Sequence, residues 1–144
     1  MIVFVSACLL GIDCKYNGGN NYSKAVVDSL KNDVIIPICP EQMAGFTTPR
    51  IPIEIKDGRV IRKDGEDVTE QMKKGCIELK KYIDLYSPIL AVLKSRSPSC
   101  GYKVIYDGSF TSTRTEGNGF ACQTLLDNNI KVITEEDIMS EIKG

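Results

Sequence analysis

The sequence of 144 residues contains no histidine and no tryptophan. The absence of histidine excludes the Ser-His-Asp and Cys-His catalytic arrangements, zinc sites with imidazole ligands and an imidazole proton shuttle. Any acid–base chemistry must therefore be carried out by carboxylates or by Lys, Tyr, Ser or Cys side chains.

The chain also lacks a strong net charge and a long apolar run. Its 18 basic and 19 acidic residues give a net charge of -1, so neither long nucleic acid nor an anionic membrane surface is an expected partner. No segment has the roughly 20 consecutive apolar residues that cross a bilayer. The apolar start, MIVFVSACLL, has no basic flank and predicts a buried strand rather than a secretory signal. We expect a cytoplasmic protein with reduced cysteines.

Apolar runs alternate with amphipathic stretches along the chain. Four short apolar runs predict buried strands: 2–8, 34–39, 89–93 and 130–133. Amphipathic stretches predict helices: 23–31, 68–86, 118–128 and a last helix capped by Thr134 and Asp137. The segment 51–62, which alternates around Asp57-Gly58, predicts a hairpin. This order predicts one α/β domain over residues 1–144, with three layers and a mainly parallel, Rossmann-like sheet.

Three of the six cysteines follow three of the predicted strands. Ligands of parallel sheets bind beyond the carboxyl ends of the strands. Cys8, Cys39 and Cys100 would therefore meet at one edge of the sheet if their strands are neighbours. Prolines and glycines flank these cysteines, and such residues let a loop come close to a ligand.

The other three cysteines have different surroundings. Cys76 and Cys122 lie on apolar helical faces, where a reduced cysteine is typically a small core residue. Cys14 lies six residues after Cys8 and is compatible with a redox couple, a further ligand or a bystander.

Thiolates without imidazole favour an iron–sulfur cluster or a zinc site made of cysteine alone. Structural zinc requires four ligands, whereas three convergent cysteines suit a cluster with one open iron, a Lewis acid for a soft substrate atom such as sulfur. Two alternatives remain open at this point. One is an electron-transfer or structural zinc module with a closed metal site, and the other is a ligand-binding domain without metal.

Four polar residues near these cysteines are candidates for the chemistry. Glu41 follows Cys39 by two residues and is a candidate general base, or a helix cap or salt-bridge partner. Ser97 and Ser99 offer hydroxyl groups, although Ser-Pro-Ser is also typical of turns. Arg50 could orient an anionic or carbonyl-bearing ligand, or form a salt bridge to the sheet.

Taken in order, several spaced motifs resemble the thiouracil desulfidase family: VSACLLG at 5–11, YNG at 16–18, CPE at 39–41, PRIPIE at 49–54, SPSCG at 97–101 and GNGF at 117–120. The resemblance covers almost the whole chain. Two departures are Asn17, where the family has Asp, and Ala44-Gly45-Phe46, where the family is richer in glycine.

The resemblance implies a 4Fe–4S cluster held by Cys8, Cys39 and Cys100, with the fourth iron open as a Lewis acid and sulfur carrier. It implies Glu41 and Ser97 as the catalytic pair, and Arg50 and Ser99 are candidates for substrate binding. The implied reaction is the non-redox conversion of a thiolated pyrimidine, 2-thiouracil, and water to uracil and hydrogen sulfide. Cys14 is not a ligand in the family pattern.

Overall fold

The protein is described by a computed structural model, which covers residues 1–143 and the side chains of residues 1–140. Within residues 1–143 there are eight strands: β1 (Ile2–Ser6), β2 (Val34–Ile38), β3 (Ile53–Lys56), β4 (Arg59–Arg62), β5 (Leu90–Leu93), β6 (Val104–Tyr106), β7 (Arg114–Glu116) and β8 (Lys131–Thr134). The same residues form five α-helices: α1 (Lys24–Ser29), α2 (Pro40–Met43), α3 (Thr69–Tyr86), α4 (Phe120–Asp127) and α5 (Glu135–Lys143). Residue 144, the last of the predicted domain, lies outside the described residues.

The centre of the fold is a four-stranded parallel sheet with the order β2-β1-β5-β8. Val3 of β1 lies opposite Ile35 of β2 on one side and Leu90 of β5 on the other. The four strands correspond to the four mainly apolar runs of the sequence, which are rich in apolar residues because helices cover both faces of the sheet. The predicted α/β class and parallel sheet are confirmed.

Two apolar layers fix the helices to the sheet. On one face α3 and α4 pack through Leu79, Ile83 and Leu125 against Phe4 and other buried sheet residues. On the opposite face α1 and α5 pack on the sheet through Val26, Leu30 and Ile138. The domain therefore has the three layers predicted from the alternation of strands and helices.

Two hairpins lie outside the sheet. In the β3–β4 hairpin, Asp57 and Gly58 have φ values of 51° and 76°, the pair of positive angles that a type I′ turn requires. This hairpin packs with the amino-terminal part of α3 through Val60 and Met72. The β6–β7 hairpin was not among the predicted elements, because its strands have three residues each and β7 is exposed throughout.

The first strand is shorter than the predicted range of 2–8. The strand stops at Ser6, and Ala7–Leu10 form a short 3₁₀ helix closed by Gly11, whose φ of 89° suits glycine. Cys8 therefore lies in a tight turn just beyond the strand. No helix within the described residues is long and apolar enough to cross a membrane.

Candidate active site

The cavity beyond the carboxyl ends of the central strands is the candidate active site. β2, β1 and β5 are adjacent in the sheet, so the condition for bringing Cys8, Cys39 and Cys100 together is met. All three cysteines line this cavity, whose volume is about 430 Å³. Cys14, Glu41, Arg50, Ser97 and Ser99 line it as well.

Local structure fixes each of the three cysteines at the cavity wall. Cys8 lies in the 3₁₀ turn, where its carbonyl accepts hydrogen bonds from the amides of Gly11 and Asn21. Cys39 is the residue before α2, and Pro40 occupies the first position of that helix. Cys100 is buried in the loop after β5, and its amide donates a 3.0 Å hydrogen bond to Ser97 Oγ.

Cys14 is the residue on which the sequence left most alternatives open. Its buried side chain lies beside the thiols of Cys8 and Cys39, and Cys39 Sγ donates a long 4.0 Å hydrogen bond to the Cys14 carbonyl. Interaction with the Cys14 thiol lowers the pKa of Cys8 and of Cys39 to about 7, and the same interaction raises the pKa of Cys14 itself. Cys14 therefore favours the thiolate form of the two flanking cysteines, the form that binds metals.

The remaining three cysteines differ in how their surroundings affect the thiol. Burial raises the pKa of Cys76 and raises that of Cys122 to about 12, which is typical of inert structural thiols. Cys122 is fully buried in the sheet–helix core, as predicted, whereas Cys76 is only partly buried. Burial also raises the pKa of Cys100, and the nearby Cys8 and Cys39 add to that rise. Cys100 would therefore need a bound cation to lose its proton readily.

A continuous hydrogen-bonded chain joins the four polar candidates. Arg50 Nε donates to Glu41 Oε1 at 3.0 Å, and Ser99 Oγ donates to Glu41 Oε2 at 2.9 Å. Ser97 Oγ lies 2.9 Å from Ser99 Oγ. Because the Ser99 hydroxyl hydrogen is directed to Glu41, Ser97 is the donor in the Ser97–Ser99 pair. The chain thus runs from Ser97 through Ser99 to the carboxylate.

Arg50 is held by protein acceptors on every side of its guanidinium group. In addition to Glu41, it donates to the carbonyl of Thr47, the hydroxyl of Thr48 and the carbonyl of Cys14. The side chains of Arg50 and Glu41 are 7% and 13% exposed. Arg50 thus forms a salt bridge, but its partner is Glu41 of α2 and not the sheet, and its hydrogen bond to the Cys14 carbonyl ties the Cys14 segment to the carboxylate.

Lys94 is a charged residue of this cavity that was not singled out from the sequence. It follows β5 directly, and its ammonium donates to Glu135 Oε1 at 3.3 Å and to Ser95 Oγ at 3.2 Å. Glu135 is buried and also accepts hydrogen bonds from the amide of Ser95. The available signal was the position of Lys94 and Ser95 directly after a buried strand, where ligands of parallel sheets bind.

The donor set fits a cluster bound by thiolates. Iron–sulfur clusters are held by cysteine thiolates, and three cysteines line one cavity in a chain without histidine. Across the described residues, no three Cys, Asp or Glu side chains form a group that could hold a single metal ion. Three cysteines without imidazole fit a cluster bound by thiolates, whereas a closed structural zinc site takes four ligands.

The family model described as 2-thiouracil desulfurase matches residues 3–137. This chain belongs to that family. A solved structure described as "[4Fe-4S]-dependent thiouracil desulfidase TudS" superposes with a TM-score of 0.88 and 31% identity, covering 96% of this chain and 93% of that one. "Uncharacterized protein YbbK" of Bacillus subtilis (strain 168) is 33% identical over 147 residues, which cover 95% of this chain and 97% of that protein. The resemblance to the thiouracil desulfidase family, which was inferred from the spaced motifs of this 2-thiouracil desulfurase family member, is thereby confirmed.

Proposed function

We propose that this chain removes sulfur from a thiolated pyrimidine, converting 2-thiouracil and water to uracil and hydrogen sulfide without a net redox change. The observation that carries the proposal is the shared cavity, in which three separated thiols face a carboxylate held by Arg50 and Ser99. The family and the TudS likeness support the same reaction.

Cys8, Cys39 and Cys100 would hold a 4Fe–4S cluster in this cavity. When bound through three thiolates, such a cluster supplies an open iron that acts as a Lewis acid toward the thiocarbonyl sulfur. The neighbouring Cys14 thiol lowers the pKa of Cys8 and of Cys39, which supports a role of both as thiolate ligands.

Glu41 would act as the general base that takes a proton from the attacking water. Its two carboxylate oxygens accept hydrogen bonds from Arg50 and Ser99, which fix the orientation of the group while leaving it at the cavity wall. General-base catalysis requires a base within hydrogen-bond reach of the water, and the position of this fixed carboxylate at the cavity wall supports the proposed role.

Ser97 would exchange protons with the substrate ring through its hydroxyl group. Its oxygen accepts hydrogen bonds from the amides of Ser99 and Cys100, so it is fixed relative to the Cys100 ligand. Its hydrogen-bonded connection through Ser99 to Glu41 gives the two catalytic residues a path along which a proton can move.

The cavity suits a small substrate. Its volume of about 430 Å³ lies within the range of roughly 300–1,000 Å³ that is usual for small-molecule sites. A single thiolated pyrimidine ring is the partner that we propose. We also propose a cytoplasmic location, because free thiols and an open cluster require a reducing compartment.

A closed cluster for electron transfer, with Cys14 as its fourth ligand, is the second candidate function. The contact of Cys14 with both Cys8 and Cys39 favours it. In that case Cys14→Ala would open the cluster, changing its visible spectrum and creating or increasing its response to 2-thiouracil. An unchanged spectrum and response would favour the desulfidase.

The test of the proposed reaction uses protein prepared without oxygen. The iron and acid-labile sulfide contents are expected to approach about four of each per chain. Uracil and hydrogen sulfide are then expected to form in equal amounts from 2-thiouracil with no added reductant. Failure of iron-loaded protein to form either product would overturn the proposal.

The Glu41→Gln variant tests the assigned general base. It is expected to keep its iron but to lose about two or more orders of magnitude in turnover, because an amide cannot accept the proton from water. Glu54→Gln is a matched control, since Glu54 lines the same cavity but its carboxylate accepts from the amides of Gly108 and Phe110. Equal rates for Glu41→Gln and the wild type would remove Glu41 from the mechanism.

A further inference from the structure

Three cationic side chains line the candidate active site, and each of them has a partner within the protein. Arg50 donates to Glu41 and to three further protein oxygens. The Lys15 ammonium lies 5.8 Å from the centre of the Tyr16 ring, where it makes a cation–π contact. Lys94 is the third, and no role has been assigned to it.

Lys94 is fixed at the wall of the cavity by its main chain and by its ammonium group. Its amide donates to Ser6 Oγ at 3.0 Å, which joins the ends of β5 and β1. Its ammonium donates to the carbonyl and hydroxyl of Ser95 and to Glu135. The side chain remains 25% exposed, so the ammonium is anchored without being enclosed.

Glu135 shares its negative charge between Lys94 and other donors. Its carboxylate accepts hydrogen bonds from the amide and the hydroxyl of Ser95. It is also the first residue of α5, where the helix dipole favours a negative charge. The Glu135 carboxylate thus has stabilising partners besides Lys94.

A positive charge at this position has a chemical use in the proposed reaction. Three thiolate ligands bring negative charge to the cavity, and the sulfur that leaves the pyrimidine departs as an anion. We propose that the Lys94 ammonium binds anionic sulfur in this site, both on the substrate and as the released hydrosulfide. This inference rests on the proposed desulfidase function and assigns a binding residue to it.

The experiment titrates iron-loaded protein with sodium hydrosulfide under anaerobic conditions and follows the visible spectrum. Lys94→Gln is expected to weaken hydrosulfide binding by about 10- to 100-fold, the size of one charge-assisted hydrogen bond. Lys94→Arg is expected to restore most of the affinity because it restores the charge. Lys15→Gln, which removes the other lysine of the cavity, is the matched control with unchanged binding.

If Lys94→Gln does not retain iron, a second variant tests whether positive charge at this position strengthens hydrosulfide binding. Glu135→Gln removes the negative neighbour of Lys94 and is expected to tighten hydrosulfide binding. With 2-thiouracil, Lys94→Gln should raise KM more than it lowers kcat, whereas a general loss of structure would lower the iron content instead.

The outcomes separate this inference from the function on which it rests. Equal hydrosulfide affinity of iron-loaded Lys94→Gln and wild type, or weaker binding by Glu135→Gln, would overturn the role of Lys94 even if the wild type is fully active. Absence of 2-thiouracil turnover by the iron-loaded wild type would overturn the proposed function, whatever the titration shows.

Discussion

The surroundings of each thiol separate the six cysteines by function. Cys8 and Cys39 have a lowered pKa because the Cys14 thiol interacts with both, and Cys100 shares their cavity. Cys76 has a raised pKa because of burial and lies on α3, away from the residues that line the cavity. A ligand role is therefore expected for the first set and a packing role for Cys76.

Alanine variants of the cysteines test this division. Cys8→Ala, Cys39→Ala and Cys100→Ala are each expected to abolish retention of iron, because two thiolates are insufficient to hold the cluster. Cys76→Ala is the control and is expected to keep the wild-type iron content. Iron and sulfide analysis after anaerobic purification makes the measurement. Equal iron retention by all four variants would mean that the ligand assignment is wrong.

Ser99 has two possible roles, and the structure suggests how to distinguish them. The sequence made it a candidate for substrate binding, but its side chain is 2% exposed and donates to Glu41. A residue that positions Glu41 should affect kcat, whereas a residue that binds substrate should affect KM.

We expect Ser99→Ala to lower kcat about 10-fold, the size of one lost hydrogen bond to a charged group, with little change in KM. Ser112→Ala is the matched control, since this exposed serine lines the same cavity and is not bonded to Glu41. Steady-state kinetics with 2-thiouracil provide both constants. A raised KM with an unchanged kcat would favour direct binding of substrate by Ser99.

At the scale of elements, the start of α4 holds the loop that carries Cys100. The amides of Ala121 and Cys122 both donate to the carbonyl of Ser99, and the amide of Gly119 donates to that of Gly101. A Cβ atom at Gly119 would lie 2.5 Å from the carbonyl carbon of Ser99. Glycine is therefore required here by the close approach of two backbones rather than by its φ angle.

Gly119→Ala is expected to destabilise the fold by about 1–3 kcal/mol, the usual cost of overpacking, and to reduce iron retention by displacing Cys100. Chemical unfolding and iron analysis measure the two effects. Gly19→Ala is the matched control, because its Cβ would approach only the side chain of Asn17. Unchanged stability and iron content in Gly119→Ala would show that α4 does not hold the loop.

The success of sequence-based prediction also differs between elements. The four apolar runs correspond to β1, β2, β5 and β8, because strands covered on both faces are made mainly of apolar residues. The Asp57-Gly58 turn was also predicted correctly, since its residue types suit positive φ angles. By contrast, α2 and the β6–β7 hairpin are short, and contacts with distant residues determine them.

The candidate site, too, could be predicted from the sequence only in part. The positions of Cys8, Cys39 and Cys100 after apolar runs were sufficient to predict a shared edge, and the strand order fulfils that condition. The pairing of Lys94 with Glu135 could not be read in this way. The two residues are 41 positions apart, and they meet because β5 and β8 are neighbours in the sheet.

At the scale of the whole molecule, α3 joins the two parts of the apolar interior. Its carboxyl-terminal half contributes Leu79 and Ile83 to the core beneath the central sheet. Its amino-terminal half contributes Met72 to the separate cluster beneath the β3–β4 hairpin. Because one continuous helix packs in both clusters, the hairpin and the sheet should unfold together, as expected for one domain.

Met72→Ala tests this coupling, because Met72 is fully buried and belongs to the hairpin cluster alone. We expect a loss of about 2–5 kcal/mol, typical of a large buried side chain cut back to alanine. Hydrogen exchange should show this loss equally at the slowest amides of β1 and of the β3–β4 hairpin, since one cooperative unit opens as a whole. Ile77→Ala is the control on the exposed side of α3, with a change within about 0.5 kcal/mol. A loss confined to the hairpin amides would divide the chain into two independently unfolding parts.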